Sequence, residues 1–493
     1  MVEKLKLLVA MPELLLLIAA SVLIMVDAIW GKDRNLPIDK LALLCILFPA
    51  LATLYQMGQP DQFAFNGMYV ADSLAHLLKL CSYIAIATTI VYSRFYGGPR
   101  GLHRGEFYAL ALFALLGQMI MISASNLLVV YMGLELMSLS LYALAALRRD
   151  SATSTEAAIK YFILGALASG FLLYGMSMMY GATGDLSIPA IASAFSNSGE
   201  NRIVLVLGAV FIVAGLAFKF GAVPFHMWVP DVYQGTPSSV TLLIAGAPKI
   251  AAFAIAFRLL AEALLPAAEQ WQPMLMLLAV GSLVIGNLVA ISQTNFKRML
   301  AYSTIAQIGF VFLGMLSGVT ADGGAQGTSS AWGASMFYMV TYVMTTLGTL
   351  GVILLLSRDG FEGEQITDLA GLSKRSPWIA LVMLILMFSL AGVPPTVGFV
   401  AKLSVLKATV AAGHVWLAVL AVLTSLVAAF YYLRVVKTMY FDPVPEVNAT
   451  NPGGGLDARV LLGINGGLAL LLGLMPQPLM SACVQAVSRA LAG

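Results

Sequence analysis

Four ionisable residues stand in stretches that are otherwise almost wholly apolar. Glu135 sits in VVYMGLELMSLSLY, Lys219 in AGLAFKFGAVP, Lys249 in LLIAGAPKIAAFA and Lys402 in VGFVAKLSVLK. A charged side chain at the centre of a bilayer helix costs about 2.5–3.5 kcal/mol on insertion scales. Four of them would cost roughly 10–14 kcal/mol, comparable with the stability of a whole domain. They must therefore be paired or hydrated inside a helical bundle. A structural ion pair between Glu135 and Lys219 would account for two of them and leave Lys249 and Lys402 without partners. Proton transfer uses all four. A lysine beside a carboxylate keeps its proton, and drawn away from it passes the proton more readily to a neighbour such as Lys249. Lysine suits this role because its proton affinity responds strongly to desolvation. Joined by water, such a row is a lateral proton relay; four side chains splayed towards lipid would not be one.

Weaker candidates flank these. Lys160 in STEAAIKYF lies about one turn inside its apolar segment, where it could feed the relay or reach out to the interface. His226 follows the GAVP break and marks either a proton entrance or an ordinary loop histidine. Lys79 and Lys407 read as interfacial. Ser303, Thr304 and Gln307 in KRMLAYSTIAQIG could hold water inside a helix or bond only to their own backbone.

The elements that must hold these residues are membrane helices. The chain has 493 residues, 60% hydrophobic and only 10% charged, against about 25% charged in an ordinary soluble domain. Mean hydropathy is +0.90. A soluble protein could not cover its surface with so few charges. Net charge of +3 gives no electrostatic footprint for nucleic acid. Cys45, Cys81 and Cys483 form neither a disulfide framework nor a metal set, and His76, His103, His226 and His414 are scattered. Neither a GxGxxG after a strand, nor a GxxxxGK[ST], nor a cysteine cluster for iron–sulfur is present, so no cofactor or metal is expected in this chain.

At about 20 apolar residues per crossing, the long runs predict about fourteen spans, near 11–30, 39–57, 71–94, 107–123, 125–147, 156–182, 202–236, 238–262, 273–293, 299–318, 332–356, 378–412, 414–441 and 458–487. The first reads as an uncleaved helix rather than a signal peptide. Lys32, Arg34, Arg94, Arg148, Lys297, Arg298, Lys374 and Arg434 all fall beside odd-numbered loops, while the even-numbered loops hold almost none, Arg202 being the main exception. Positive charge marks the cytoplasmic side, so the odd loops are expected in the cytoplasm and both termini in the periplasm.

Two spans are too long and carry breakers, Gly221-Ala222-Val223-Pro224 in one and Gly392-Val393-Pro394-Pro395 in the other. Broken backbone survives at membrane depth only where protein buries it or water reaches it. Each broken span is the fourth of a five-span block. The expected organisation is three N-terminal helices (1–104), a first block (105–271), a second, inverted block (272–441) and a C-terminal helix (442–493). The fold class is thus an all-α integral membrane protein with two inverted five-helix repeats. Paired interrupted helices of this kind point to a transport site.

The segments FKFGAVPFHMWVPDVYQGTPSSVTLLIAGAPKIAAF, KRMLAYSTIAQIG and SLAGVPPTVGFVAKL resemble the antiporter-like membrane subunits of respiratory complex I, a family shared with Mrp-type cation/proton antiporters. The resemblance covers nearly the whole chain, most specifically 125–315 and 385–405. The family's key glutamate falls on Glu135, its broken-helix lysine on Lys219, its central relay lysine on Lys249 and its terminal lysine on Lys402. The resemblance implies a proton-translocating subunit of NADH:quinone oxidoreductase in a bacterial inner membrane. FMN, Fe–S clusters and quinone would belong to other subunits. Partners would be the other complex I membrane subunits and, through them, the redox arm, with the lipid bilayer, protons and internal water, and no nucleic acid. Two rivals are an Mrp-type sodium/proton antiporter subunit and a non-pumping scaffold; a scaffold would have no use for lysines at mid-membrane.

Overall fold

A computed structural model describes residues 6–30, 37–98, 100–102, 104–196, 202–319, 325–358, 360–444 and 453–492. Lys32, Arg34 and His103 lie outside these residues. With no water in the hydrocarbon layer to bond the backbone, apolar segments must satisfy their own amides, and helices dominate. The helices in chain order are α1 (Met11–Trp30), α2 (Ile38–Gln56), α3 (Ser73–Gly97), α4 (Gly105–Ile122), α5 (Leu127–Ala145), α6 (Ala152–Thr183), a short α7 (Ile188–Ser196), α8 (Arg202–Phe220), α9 (Trp228–Gly235), α10 (Ser238–Ala245), α11 (Ala247–Ala256), α12 (Ala268–Ile291), α13 (Phe296–Leu316) and α14 (Ala325–Leu356). There follow α15 (Pro377–Ala391), α16 (Val397–Ala411), α17 (Val415–Phe441), α18 (Leu456–Leu474) and α19 (Gln477–Ala492). A two-stranded antiparallel ribbon, β1 (Gln62–Ala64) with β2 (Tyr69–Ala71), joins α2 to α3.

Among the described residues 13 helices are long and apolar enough to cross a membrane, and the broken pair α15 and α16 supplies the crossing that completes about fourteen. Two of the expected spans depart from the expectation. The span expected at 238–262 is itself interrupted, at Gly246 between α10 and α11, and ends in a π-helical turn over Phe257–Ala263. The C-terminal span expected at 458–487 divides instead into α18 and α19, because Met475-Pro476 stops the first helix. The amphipathic α19 then packs against α14 and the start of α3, where Arg489 donates to Ser73 Oγ at 3.2 Å.

Burial is not uniform. The segments Ser238–Ala263, Phe296–Leu316 and Gly327–Leu356 are almost entirely enclosed by the other helices, whereas α18 is mostly exposed on its outer face. The enclosed segments carry Lys249, the Ser303–Thr304–Gln307 group, and Tyr338 with Tyr342, so the core of the bundle is where its polar groups collect.

Candidate functional site

The two predicted breaks are built alike. At the first, α8 ends with Gly221 at φ +75. The Ala222 amide donates back to Ala217 O at 2.8 Å, closing a Schellman-type cap. At the second, α15 ends with Gly392 at φ +85, and the Val393 amide donates to Phe388 O at 2.9 Å. Only glycine reaches this backbone region without strain. Space is also short there: a Cβ on Gly392 would come within 2.9 Å of Lys402 Cδ, and one on Gly221 within 2.5 Å of Val229 Cγ2. Protein side chains satisfy the freed amides. Val223 N–H donates to Ser282 Oγ of α12 at 3.0 Å, and Gly398 N–H to Ser389 Oγ at 3.2 Å.

The break in α8 exposes a helix end, and the carbonyls there carry partial negative charge. Lys249, 2% exposed, donates from Nζ to Phe220 O, the last carbonyl of α8, at 3.3 Å. Lys219, one residue earlier on α8, points Nζ the other way, to Ser138 Oγ of α5 at 3.0 Å and towards Ser169 Oγ of α6 at 3.5 Å. Lys219, Lys249 and Ser138 line one cavity, walled by Tyr161, Phe218 and Trp228. Trp228 stacks between the other two rings, at 4.8 Å from Tyr161 and 5.5 Å from Phe218.

Glu135 is one turn before Ser138 on α5. It is half-buried, its charge reaches Lys219, and its buried Oε1 has no hydrogen-bond partner among the described residues. The tight Glu135–Lys219 ion pair weighed from the sequence is therefore not formed; the Ser138 hydroxyl accepts a hydrogen bond from the lysine instead.

The second break repeats the theme with a different lysine. Lys402, 7% exposed, reaches back across the break of its own helix pair. It donates to Leu390 O at 3.1 Å, Ala391 O at 3.0 Å and Ser425 Oγ at 3.1 Å. Its cavity is lined by Gln307, Tyr338, Tyr342 and Ser389. Here the hydroxyl and amide groups are linked. Tyr342 donates to Thr304 Oγ1 at 2.6 Å, Tyr338 donates to Gln307, and Gln307 Nε2 donates to Leu390 O and to Tyr432 OH, both at 3.1 Å. Ser303 Oγ and Tyr432 OH share a bond of 2.5 Å. The Ser303–Thr304–Gln307 group thus bonds across helices, beyond its own backbone, although Thr304 also donates to Leu300 O. Lys249 and Lys402, without a carboxylate partner in the sequence reading, are instead held by the carbonyls of two broken helices.

The weaker candidates fare unevenly. Lys160, 42% exposed, lies at the odd-loop end of α6, where Asp231 at 2.7 Å and Glu156 at 2.8 Å hold it. Asp231 also binds Arg298 at 2.7 Å, so one carboxylate ties α6, α9 and α13 together. His226 is half-buried past the break, near the Pro224 carbonyl, and does not line the Lys219 cavity. Lys407 is exposed, as an interfacial lysine would be. Lys79 is not: it is 1% exposed, at 2.5 Å from Glu13 Oε1, and donates to Tyr69 OH at 2.9 Å. The interfacial reading of Lys79 is thereby corrected. Glu13 of α1 and Tyr69 of the β1–β2 ribbon enclose its ammonium.

Sequence reasoning missed several partners. Asp231 and Glu364, which binds the fully buried Lys297 at 2.7 Å, lie beside breaks or loops with no apolar context to single them out. Ser138 and Ser169 look like ordinary helix serines. Tyr338 and Tyr342 carry a readable signal, a pair of tyrosines one turn apart in an enclosed helix, where buried hydroxyls must find partners. No group of three or more possible metal ligands occurs among the described residues.

Comparison with known proteins agrees with this architecture. A family profile described as "NADH:quinone oxidoreductase/Mrp antiporter, TM" matches residues 124–428. A protein of Herminiimonas arsenicoxydans named NADH-quinone oxidoreductase subunit N is 54% identical, covering 99% of this chain and 100% of its own. One of the same name from Thiobacillus denitrificans is 53% identical, covering 97% of each chain. Among solved structures, a chain of respiratory complex I from Thermus thermophilus with bound aureothin superposes with a TM-score of 0.79 at 34% identity, covering 95% of this chain and 98% of that one. A chain of the Mrp complex from Dietzia gives 0.84 at 21% identity, covering 98% and 97%, a likeness of fold.

Proposed function

The chain belongs to the NADH:quinone oxidoreductase/Mrp antiporter membrane family, and from that premise we propose the route its protons take. It is a proton-translocating membrane subunit of an NADH-quinone oxidoreductase. It sits in a bacterial membrane among other complex I subunits, and those partners hold the FMN, the Fe–S clusters and the quinone. The odd-numbered loops, rich in Lys and Arg, lie in the cytoplasm, and both termini lie in the periplasm. Residues 105–271 and 272–441 form two inverted five-helix blocks, each organised around its broken helix.

Glu135, Lys219, Lys249 and Lys402 form the relay. Protons arrive from the cytoplasmic end near Lys160, whose neighbour Tyr161 lines the first cavity, with His226 a lesser entrance beside the break. Lys219 holds a proton on Nζ while the Glu135 charge lies near. When that charge is neutralised or moved, the proton passes through the shared cavity to Lys249. Thr304, Tyr342, Gln307 and Tyr338 then bridge towards Lys402 by hydroxyl and amide bonds. Moving one charge against 100 mV costs about 2.3 kcal/mol, so the redox partners must supply the drive.

The observation that carries this reading is that Lys219 and Lys249, 30 positions apart in sequence, line one cavity in the enclosed core. We expect Lys219→Ala or Glu135→Ala to impair proton uptake into inverted membrane vesicles during NADH oxidation, with the complex still assembled. Near-normal pumping by assembled Lys219→Ala complex would refute the assignment.

A further inference from the structure

Lys219 must regain a proton each time it passes one on, and one hydroxyl stands between it and the odd-loop face. Helix α5 ends at that face and α6 begins there. Down α6 from the loop come Lys160, then Gly165 about 7.5 Å deeper, then Ser169 about 6 Å deeper still. Lys160 is held at the outer end by Asp231 and Glu156. Ser169 marks the depth of Lys219, its Oγ lying 3.5 Å from Nζ. Midway, at Gly165, sits the hydroxyl of Tyr142: a Cβ on that glycine would strike it. Helix α5 gives the same order from its own side. Tyr142 is one turn nearer the odd loop than Ser138, whose Oγ accepts from Lys219 Nζ at 3.0 Å.

The hydroxyl is firmly placed but bonded to nothing. Tyr142 is 7% exposed, and its OH has no hydrogen-bond partner among the described residues. Its ring is fixed by edge-on contacts with Tyr161 at 4.7 Å and Phe162 at 5.8 Å. Helical side chains lean towards the N-terminus of their helix. That lean carries the Tyr142 hydroxyl towards Ser138 and Glu135, the two α5 groups that act on it. Buried polar groups normally find partners, so a lone hydroxyl given room by a glycine calls for a role other than holding the fold. A serine that accepts from an ammonium still has its own proton to give. Ser138 and Tyr142 can thus each give one proton and take one.

We propose that Tyr142 is the residue through which Lys219 is reloaded from the odd-loop side. Once Lys219 has passed its proton to Lys249, its neutral amine takes the Ser138 hydroxyl proton. Ser138 takes that of Tyr142, and Tyr142 takes one from water at the Lys160 end. One N–H bond forms at the amine, each hydroxyl breaks one O–H bond and makes another, and the cytoplasmic water gives up the proton. The onward route from Lys249 to Lys402 is unchanged. This rests on the reading of Lys219 as a proton carrier.

The test compares Tyr142→Phe with Lys219→Ala in the intact complex, by protons moved per NADH oxidised in proteoliposomes and by thermal unfolding in detergent. Phenylalanine keeps the ring contacts and removes only the hydroxyl. We expect several-fold fewer protons per NADH in Tyr142→Phe, with a melting temperature no lower than wild type, because no hydrogen bond is lost. Wild-type pumping by Tyr142→Phe beside a defective Lys219→Ala would overturn the loading role and leave the relay standing. Wild-type pumping by Lys219→Ala would overturn both. A pumping loss that comes with a lower melting temperature would make Tyr142 a structural residue and overturn the loading role. If Tyr142→Phe fails to assemble, Ser138→Thr and Ser138→Ala decide. Pumping kept by threonine and lost by alanine supports the hydroxyl path, and pumping kept by both overturns it.

Discussion

The two broken helices solve one physical problem with lysines from different places. Around the first, Lys249 reaches in from the next span to the end carbonyl of α8, and a second lysine, Lys219, shares the cavity with a carboxylate nearby. Around the second, Lys402 folds back over its own break onto Leu390 and Ala391, and its cavity companions are neutral: Gln307, Tyr338 and Tyr342. Each break thus presents the negative end of a half-helix to one ammonium. The surroundings differ in charge. The first cavity can trade a proton between charged groups, whereas the second can only receive one through hydroxyls. In the proposed relay the first therefore suits loading and the second the far end.

That contrast can be broken by substitution. In the second cavity the lysine should matter most: Lys402→Ala should abolish most coupled pumping, whereas Tyr342→Phe should reduce it only several-fold, because a neighbouring hydroxyl or water can replace one link. Equal losses, measured as proton uptake per NADH in vesicles, would mean the hydroxyl chain is as indispensable as the ammonium.

A smaller effect separates the two breaks as structures. Ser282→Ala leaves the buried Val223 amide without its acceptor, and an unmet buried donor costs about 1–3 kcal/mol. Ser389→Ala removes the longer bond to Gly398 N–H within the same broken helix and should cost less. Thermal unfolding of the purified complex in detergent would rank them; the reverse order would show that the second break is the more tightly held.

The smallest effect lies outside both cavities. Burial alone would raise the Glu362 carboxyl, but Arg100, Tyr96 and Arg148 together hold it below the ordinary range. A lowered carboxylate contributes stability above its unfolded value and loses it as pH falls through its folded value. Glu362→Gln should therefore lower the melting temperature at neutral pH, with the difference from wild type closing in acid. A difference independent of pH would remove the charge from the account.

Much of this was legible in the sequence. The breaks were visible because glycine beside proline cannot continue a helix, and the four mid-span charges because lipid makes them expensive. Tertiary direction was not. Nothing in AGLAFKFGAVP tells that Lys219 turns to Ser138 while Lys249 turns to Phe220 O, because helix ends that meet in space carry no local mark. Lys79 shows the same limit. Its carboxylate partner, Glu13, lies 66 positions away behind a ribbon whose short strands leave only a faint pattern. The interruption at Gly246 escaped notice because its flanks are as apolar as any span.

The central claim is that Lys249 gives up a proton rather than merely holding a charge in the core. Lys249→Arg keeps the charge and a donor to Phe220 O but cannot release its proton at working pH. Proton uptake by inverted vesicles, measured per NADH oxidised in assembled Lys249→Arg complex, should fall to the level of Lys249→Ala. Pumping at the wild-type ratio would contradict the relay.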